Sequence, residues 1–452
     1  MKPTPAAQNS RRTELSPAKE LPVAIIGAGP IGLATTAHLL ARGEQPIVFE
    51  AGDAPGATVR SWAHVRMFSP WRYLMDPVAR EALEARGWSA PDLGTIPTGE
   101  ELLQEYLAPL AELAPIAECL RLDHRVVQVA RSETDKIRSV NRENAPFDLV
   151  IERAGGAERH RAKAVIDASG TFGTPNPIGA NGLPAHGEPE VHNQVFYGIP
   201  DAVFRHRRRY AGRRTVVVGN GDSALNALLA LDALKSDEPD TEVVWAIRGD
   251  PVDPAPDGSP DDPLPERAGL RSRGRRLVER GRVELISRFP VHSVRTVGSG
   301  ILLGDGVREI GPFDEVVAAT GSRPDLGMHR ELRLELDPRL ECPVRLAPLV
   351  DPELHTCETV RAHGHDELHH PEPGFYLLGM KSYGRAPGFL LATGYEQVRS
   401  VTSALVGDHE GARVEPELHI TSGACSSRSS APDHGHRSPA ATVPSTGDGC
   451  CG

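Results

Sequence analysis

The stretch Val23-Ala24-Ile25-Ile26-Gly27-Ala28-Gly29-Pro30-Ile31-Gly32 decides how this chain folds. Its first four residues are apolar and mostly β-branched, the composition of a short strand buried on both faces of a parallel sheet. Gly27 then permits a tight turn, Gly29 lets the backbone approach a pyrophosphate, and Gly32 lets the following helix pack on the strand. The spacing predicts a helix over Ile31 to Ala41, whose free N–H groups and positive dipole end suit anionic phosphates. A second strand, Pro46-Ile47-Val48-Phe49, ends at Glu50. An acid about 20 residues beyond such glycines is placed to hold ribose hydroxyls. Strand, glycines, helix, strand and acid occur in the order a dinucleotide-binding unit requires.

The same logic recurs further on. Thr215-Val216-Val217-Val218 reads as a strand, and Gly219-Asn220-Gly221-Asp222-Ser223-Ala224 as the turn and helix start, with Ala224 in place of the third glycine. Gly219, Gly221 and Ser223 are the expected cofactor contacts of this unit. Its next strand, Val243 to Ile247, ends at Arg248 instead of an acid. A carboxylate there repels the 2′-phosphate of NADP, whereas a guanidinium pairs with it bidentately, which favours NADPH over NADH. A solvated loop residue is the plainer alternative for Arg248.

At 452 residues the chain is long enough for two α/β units with their own cores. Its net charge is −11 and its basic residues are dispersed, apart from a run at Arg205 to Arg214, so nucleic acid is not an expected partner. That run precedes the second fingerprint and reads either as an attractor of a phosphorylated cofactor or as a solvated helix face. Residues 1–20 are polar and lack the apolar core of a signal peptide, and no segment reaches about 18 apolar residues in a row. A cytoplasmic protein without a membrane partner is expected. The six cysteines, Cys119, Cys342, Cys357, Cys425, Cys450 and Cys451, are sparse, as in a reducing compartment.

The first unit begins near Leu21 and closes in Ala164-Val165-Ile166-Asp167-Ala168-Ser169-Gly170, a strand entering a small-residue turn. The second closes alike in Glu315-Val316-Val317-Ala318-Ala319-Thr320-Gly321, so one nucleotide domain is inserted into another. From Gly374 the chain turns apolar again and reaches a helical run from Phe389 to Leu405, with Gly407 placed to stop it. Beyond Asp408 periodicity is lost among Ser, Gly, Pro and His, which predicts a disordered tail.

GAGPIG at Gly27–Gly32, GNGDSA at Gly219–Ala224 and AATGSRPD at Ala318–Asp325 together resemble the two-dinucleotide flavoproteins, in particular flavin-containing monooxygenases and related N-hydroxylases. Arg66-Met67-Phe68-Ser69-Pro70-Trp71-Arg72-Tyr73 and His370-Pro371-Glu372-Pro373-Gly374-Phe375-Tyr376 resemble, more narrowly, a bacterial branch encoded in arsenic-resistance operons. The resemblance implies an α/β fold of two Rossmann-like domains. An NADP domain at 205–322 is inserted between the parts of an FAD domain, 21–204 and 323–407, with residues 1–20 and 408–452 disordered. It implies FAD in the first fingerprint and NADPH in the second. A flavin C4a-hydroperoxide then passes one oxygen to a soft nucleophile such as sulfur, nitrogen or trivalent arsenic. The partners so implied are a small molecule and molecular oxygen, with homo-oligomer formation left open. Such chemistry resides in the cofactor, and the protein orients it and keeps water out.

By the same resemblance, Arg60 and Trp62 belong near the isoalloxazine, Val126 holds adenine through its backbone, and the helix starting near Gly388-Phe389 aims its dipole at the flavin pyrimidine. Gly170, Thr320, Gly321 and Met380 complete the cofactor set. Arg60, Ser69 and Tyr383 are the catalytic candidates, and no metal is expected. Lys381 and Tyr383 are expected to face the ring, and His363 and His365 to line the substrate. Core filling by Trp62 and a solvated histidine loop are the competing possibilities.

Two departures from the family pattern leave other reactions open. Phe-x-Gly-x-x-x-His usually precedes the second fingerprint, whereas this chain has His186-Gly187 and then His192, with no Phe and one extra residue. The Asn that relatives place upstream of the Phe-Ser pair has no counterpart before Phe68-Ser69. An NADPH oxidase or reductase is therefore the alternative enzyme, and a flavin-bound sensor the alternative from another class. A disulfide reductase is disfavoured, because Cys119, Cys342 and Cys357 are isolated in sequence. The vicinal Cys450-Cys451 resembles the C-terminal thiol pair of mercuric reductases and suits a thiophilic substrate, a chance pair being the plainer alternative.

Overall fold

The computed structural model describes residues 20–250, 265–354 and 360–414. Strands separated by helices must run parallel, because each crossover returns the chain to the same end of the sheet. The first sheet has the order Phe375–Leu377, Ala164–Asp167, Val23–Ile26, Pro46–Phe49, Leu120–Arg121, all parallel. Alternate residues of each strand face opposite ways. Val23 and Ile25 therefore meet helices Pro30–Ala41 and Leu391–Leu405 through Leu33, Val398 and Val401. Ala24 and Ile26 meet a three-stranded antiparallel sheet, Arg125–Arg131, Phe147–Arg153 and Gly156–Ala162, through Phe147 and Leu149.

The second domain repeats this plan. Its parallel sheet has the order Glu284–Ile286, Glu242–Ala246, Arg214–Val218, Glu315–Ala318, Val195–Tyr197. Val217 and Val243 pack on Leu228 and Leu231 of helix Asp222–Asp237, while Val216 and Val218 pack on Ile301 and Phe313 of a second antiparallel sheet. The chain is thus the expected α/β fold with one dinucleotide domain inserted into another.

Val195–Tyr197 corrects the boundary placed between 204 and 205, because it pairs with Glu315–Ala318 in the second sheet. Ile178, Ala185 and Val191 also lie in the second core, so this domain begins soon after Asn176. Three residues are too few for a strand's periodicity to be read. The two crossings between the domains are tied to each other. Asn176 N donates to Gly321 O at 2.9 Å, Thr320 Oγ1 to Asn176 O at 2.7 Å, and Arg323 Nε to Asn176 Oδ1 at 2.8 Å.

Two further expectations change. Part of the arginine run is spent on ion pairs, Arg207 with Asp237 and Glu238, Arg209 with Glu315, and Arg214 with Glu242. Arg214 starts its strand, at the end of the sheet opposite the fingerprint. Order also continues past Asp408, which caps helix His409–Ala412 by accepting from Gly411 N at 2.8 Å. Ser400 Oγ donates to Ala412 O at 2.6 Å and docks that turn. Residues 1–19 and 415–452, with Cys450 and Cys451, lie outside the described residues, as do His355 and Cys357. Among the described residues no helix is long and apolar enough to cross a membrane.

Candidate functional site

Both fingerprints follow the carboxyl ends of parallel strands, where open α/β sheets take their ligands. Gly27 turns the chain at φ +97°, and a Cβ there would lie 2.9 Å from Ser169 Cα. A Cβ on Gly32 would lie 1.9 Å from Gly27 O, whereas at Gly29 nothing stands within 4 Å. Gly29 starts helix Pro30–Ala41 without a side-chain cap, so the first amides stay open to an anion. Glu50 is fixed at the rim: its Oε2 accepts from Ala28 N at 2.7 Å and its Oε1 from Gly52 N at 2.8 Å. A turn closed by glycines, an open helix start and a fixed acid fit a dinucleotide and its ribose.

In the second cradle Trp245 Nε1 donates to Gly219 O at 2.7 Å and holds the turn. Helix Asp222–Asp237 starts at Gly221, again without a side-chain cap, and Ser223 is half-buried in its first turn. Asp222 would repel phosphate, but Arg267 Nε engages its carboxylate at 3.0 Å and Arg271 at 3.8 Å. Arg248 is exposed, with Nη1 3.4 Å from Ala180 O, which leaves most of its fork available to a 2′-phosphate. The Thr320 hydroxyl is committed to the interdomain crossing, so only its backbone and that of Gly321 remain for a cofactor.

At the first domain's cleft, Trp62 stacks on Phe172 with centroids 6.2 Å apart and planes 29° apart. Its Nε1 is buried without a partner among the described residues. Phe172 escaped the sequence reading because only tertiary folding brings it to Trp62. Gly170 leads into that loop at φ +71°. Near Val126 the ladder to Phe147–Arg153 slips between Val126 and Gln128. Met380 is half-buried, next to the fully buried Lys381.

The catalytic candidates do not form one constellation. Arg60 is exposed and pairs with Asp53 at 3.0 Å. Ser69 is buried in a loop whose neighbour Phe68 packs on the second domain's core. Tyr383 has 0% exposure and lies between the rings of His363 and Phe389, at 5.5 and 5.2 Å. A side chain with no accessible surface cannot touch substrate, so Tyr383 is part of the first domain's core. The helix expected to start at Gly388-Phe389 starts at Leu391, because Leu390 is extended at φ −122° and ψ 144°.

The histidine expectation is also corrected. His363 Nδ1 donates to Arg361 O at 3.0 Å and its Nε2 accepts from Gln397 Nε2 at 2.8 Å, while Gln397 Oε1 accepts from Gly379 N at 2.8 Å. Burial lowers the His363 pKa, and the ring is a neutral structural link instead of a substrate contact. His365 bonds the Tyr376 hydroxyl at 3.0 Å and lines a polar cavity of about 260 Å³ beside helix Leu391–Leu405. The conspicuous His370–Tyr376 segment is explained by packing. Glu372, buried, accepts from Arg131 Nε at 2.7 Å, Arg142 Nη2 at 2.8 Å and Arg333 N at 3.0 Å.

Compared with known proteins, residues 24–344 match the model of the family described as pyridine nucleotide-disulphide oxidoreductase. A ferredoxin–NADP reductase of Streptococcus equi subsp. zooepidemicus is 27% identical over 213 residues, 47% of this chain and 51% of that protein. The chain spans about half the length of the curated relatives it matches. Among solved structures, the bacillithiol disulfide reductase of Bacillus cereus superposes with a TM-score of 0.63 at 18% identity, covering 86% of this chain and 99% of that one. The flavin-containing monooxygenase of Stenotrophomonas maltophilia does so with a TM-score of 0.53 at 22% identity, covering 86% and 98%. These likenesses establish the two-domain fold, whose cofactors, FAD and NADP(H), are those the two cradles fit. With the family match running from the first fingerprint through the second and beyond, the chain belongs to the pyridine nucleotide-disulphide oxidoreductases.

Proposed function

We propose that this chain is an NADPH-dependent flavoprotein monooxygenase that transfers one atom of O₂ to a soft nucleophile, a trivalent arsenical being the favoured class. What carries this reading is two dinucleotide cradles combined with the lack, among the described residues, of a thiol fit for disulfide exchange. Exchange requires an accessible thiolate. Cys342 is fully buried, and burial pushes its pKa up to about 12. Cys119 is raised by burial as well, and its Sγ donates to Pro115 O at 3.1 Å.

FAD, held in the first cradle, would supply the two-electron chemistry that links NADPH to oxygen. The residues' share is to bind, orient and exclude water. The open start of helix Pro30–Ala41 holds the FAD diphosphate, Glu50 a ribose, and Arg248 the 2′-phosphate of NADPH. The Trp62–Phe172 stack would offer the flavin ring an apolar wall against water. The arsenical preference is supported by the resemblance of residues 66–73 to the arsenic-operon branch and by the vicinal Cys450-Cys451.

One observation favours an oxidase instead. His186 pairs through its backbone with Ser293, exposed His192 bonds Pro189 O through Nδ1 at 3.1 Å, and neither stands at the usual spacing of the family histidine. The test is stoichiometry with methylarsenite: one NADPH and one O₂ consumed per methylarsonate formed, with label from ¹⁸O₂ in the product. Peroxide released in equal amount to NADPH, with no oxygenated product, would establish the oxidase.

A further inference from the structure

Lys381, expected to face the flavin ring, instead has 0% exposure, an unusual state for an ammonium. Its Nζ donates to Asp167 Oδ2 at 2.6 Å and to Ser169 Oγ at 2.9 Å. Asp167, equally buried, ends strand Ala164–Asp167; its Oδ1 accepts from Ser169 N at 2.9 Å, and His329 Nε2 lies 2.9 Å from its Oδ2. Burial works to raise the Asp167 carboxyl, yet Lys381 and His329 outweigh it and hold it well below the usual carboxylate range. Asp167 is therefore a carboxylate in the folded chain, with the Lys381 amine as its donor.

A buried ion pair rarely stabilises a fold more than an apolar pair of the same shape, so its position calls for another reason. Ser169 supplies one. It is exposed, and its Cα lies 2.9 Å from where a Cβ on Gly27 would stand, so it borders the fingerprint turn. An ammonium only donates, so Ser169 Oγ must accept from Lys381, which leaves the serine's own proton for another acceptor. The turn Gly27–Gly32 carries no basic side chain to offset a diphosphate.

We infer that Lys381 and Ser169 form a relay toward the FAD diphosphate. The Ser169 hydroxyl donates to a phosphate oxygen, and the Lys381 ammonium, held by Asp167, polarises it from behind. Lys381 is a positioning residue. The inference rests on the first cradle being the FAD site.

The test is FAD affinity, by fluorescence quenching on titration into deflavinated full-length protein, together with thermal unfolding of the same preparations. The variants are Ser169→Ala, Lys381→Met and the neutral pair Asp167→Asn/Lys381→Met. Lys381→Met alone leaves Asp167 uncompensated and is expected to lose stability, which the double variant restores. The relay requires that the double variant and Ser169→Ala unfold near the wild-type temperature yet bind FAD at least tenfold more weakly. Wild-type affinity in a stably folded double variant would overturn it, leaving Lys381 a mere counter-charge. Should neither lysine variant fold, Ser169→Ala decides alone, and unchanged affinity there overturns the relay. Wild-type protein that fails to bind FAD would instead overturn the cradle assignment itself.

Discussion

Adding one methyl group at position 29 or at position 32 separates the ligand's space from the fold's. At 32 the new Cβ would meet Gly27 O at 1.9 Å and Gly27 C at 3.0 Å, both backbone atoms. Contact distances between such atoms are nearer 3.5 Å, so the helix must retreat by about 1.5 Å. Overpacking of this kind costs about 1–3 kcal/mol, and the better helix propensity of alanine returns only about 1 kcal/mol. Because the clash is with backbone atoms, which cannot swing aside, the upper part of that range, about 2–3 kcal/mol, applies, and Gly32→Ala should destabilise by about 1–2 kcal/mol net, a fall in Tm of about 2–8 °C. At 29 the backbone sits at φ −79° and ψ −172° and the methyl meets nothing. Gly29→Ala should cost the deflavinated protein only about 0.5–1 kcal/mol, because alanine is a poorer helix N-cap than glycine but meets no neighbouring atom there. Its methyl stands where the diphosphate must approach, so FAD affinity should fall at least about tenfold, or about 1.4 kcal/mol. Thermal unfolding of deflavinated protein and FAD titration read the two effects separately. Wild-type FAD affinity in Gly29→Ala, or an unshifted Tm in Gly32→Ala, would refute the geometry of the cradle.

Arg248→Ala should raise the KM for NADPH about tenfold and leave NADH nearly unchanged, and equal effects on both would remove Arg248 from 2′-phosphate recognition. Glu372→Ala leaves Arg131 and Arg142 buried without their counter-charge and should cost about 3–5 kcal/mol in urea unfolding; a loss below about 1 kcal/mol would contradict the buried pair. His370 is held neutral by burial, its pKa pushed down to about 4 from an ordinary 6.5, while its Nδ1 accepts from Glu335 N at 3.3 Å. The unfolded chain takes the proton first, so stability present above about pH 6.5 should fall by up to about 3 kcal/mol as pH drops toward 4. His370→Asn should flatten that limb, and an unaltered slope would rule His370 out as its source. Deletion after Val414 keeps helix His409–Ala412 and removes Cys450-Cys451; turnover should fall at low arsenical concentration only, and unchanged kinetics would exclude the thiols from the reaction.

The sequence by itself determined the two cradles. Val23–Gly32 and Thr215–Ala224 are read locally, because a strand, a glycine turn and a helix start that hold a phosphate are consecutive in the chain. Glu50 and Arg248 are placed for the same reason, each just beyond the strand that follows its fingerprint helix. Tertiary structure alone decided who meets whom and what is covered. Val195–Tyr197 is too short to show a period, and its partner Glu315–Ala318 assigns it to the second sheet. The Trp62–Phe172 stack, the two arginines on Glu372 and the Lys381–Asp167 pair, 214 residues apart in sequence, follow from long-range packing that no local pattern encodes. Tyr383 and His363 show the converse: a tyrosine or histidine carries the same chemistry in any sequence, and only burial among Phe389, Gln397 and the Gly379 turn turns both into supports. Turn geometry and strand composition act between neighbours along the chain, whereas burial and ion pairing depend on which distant segments pack together.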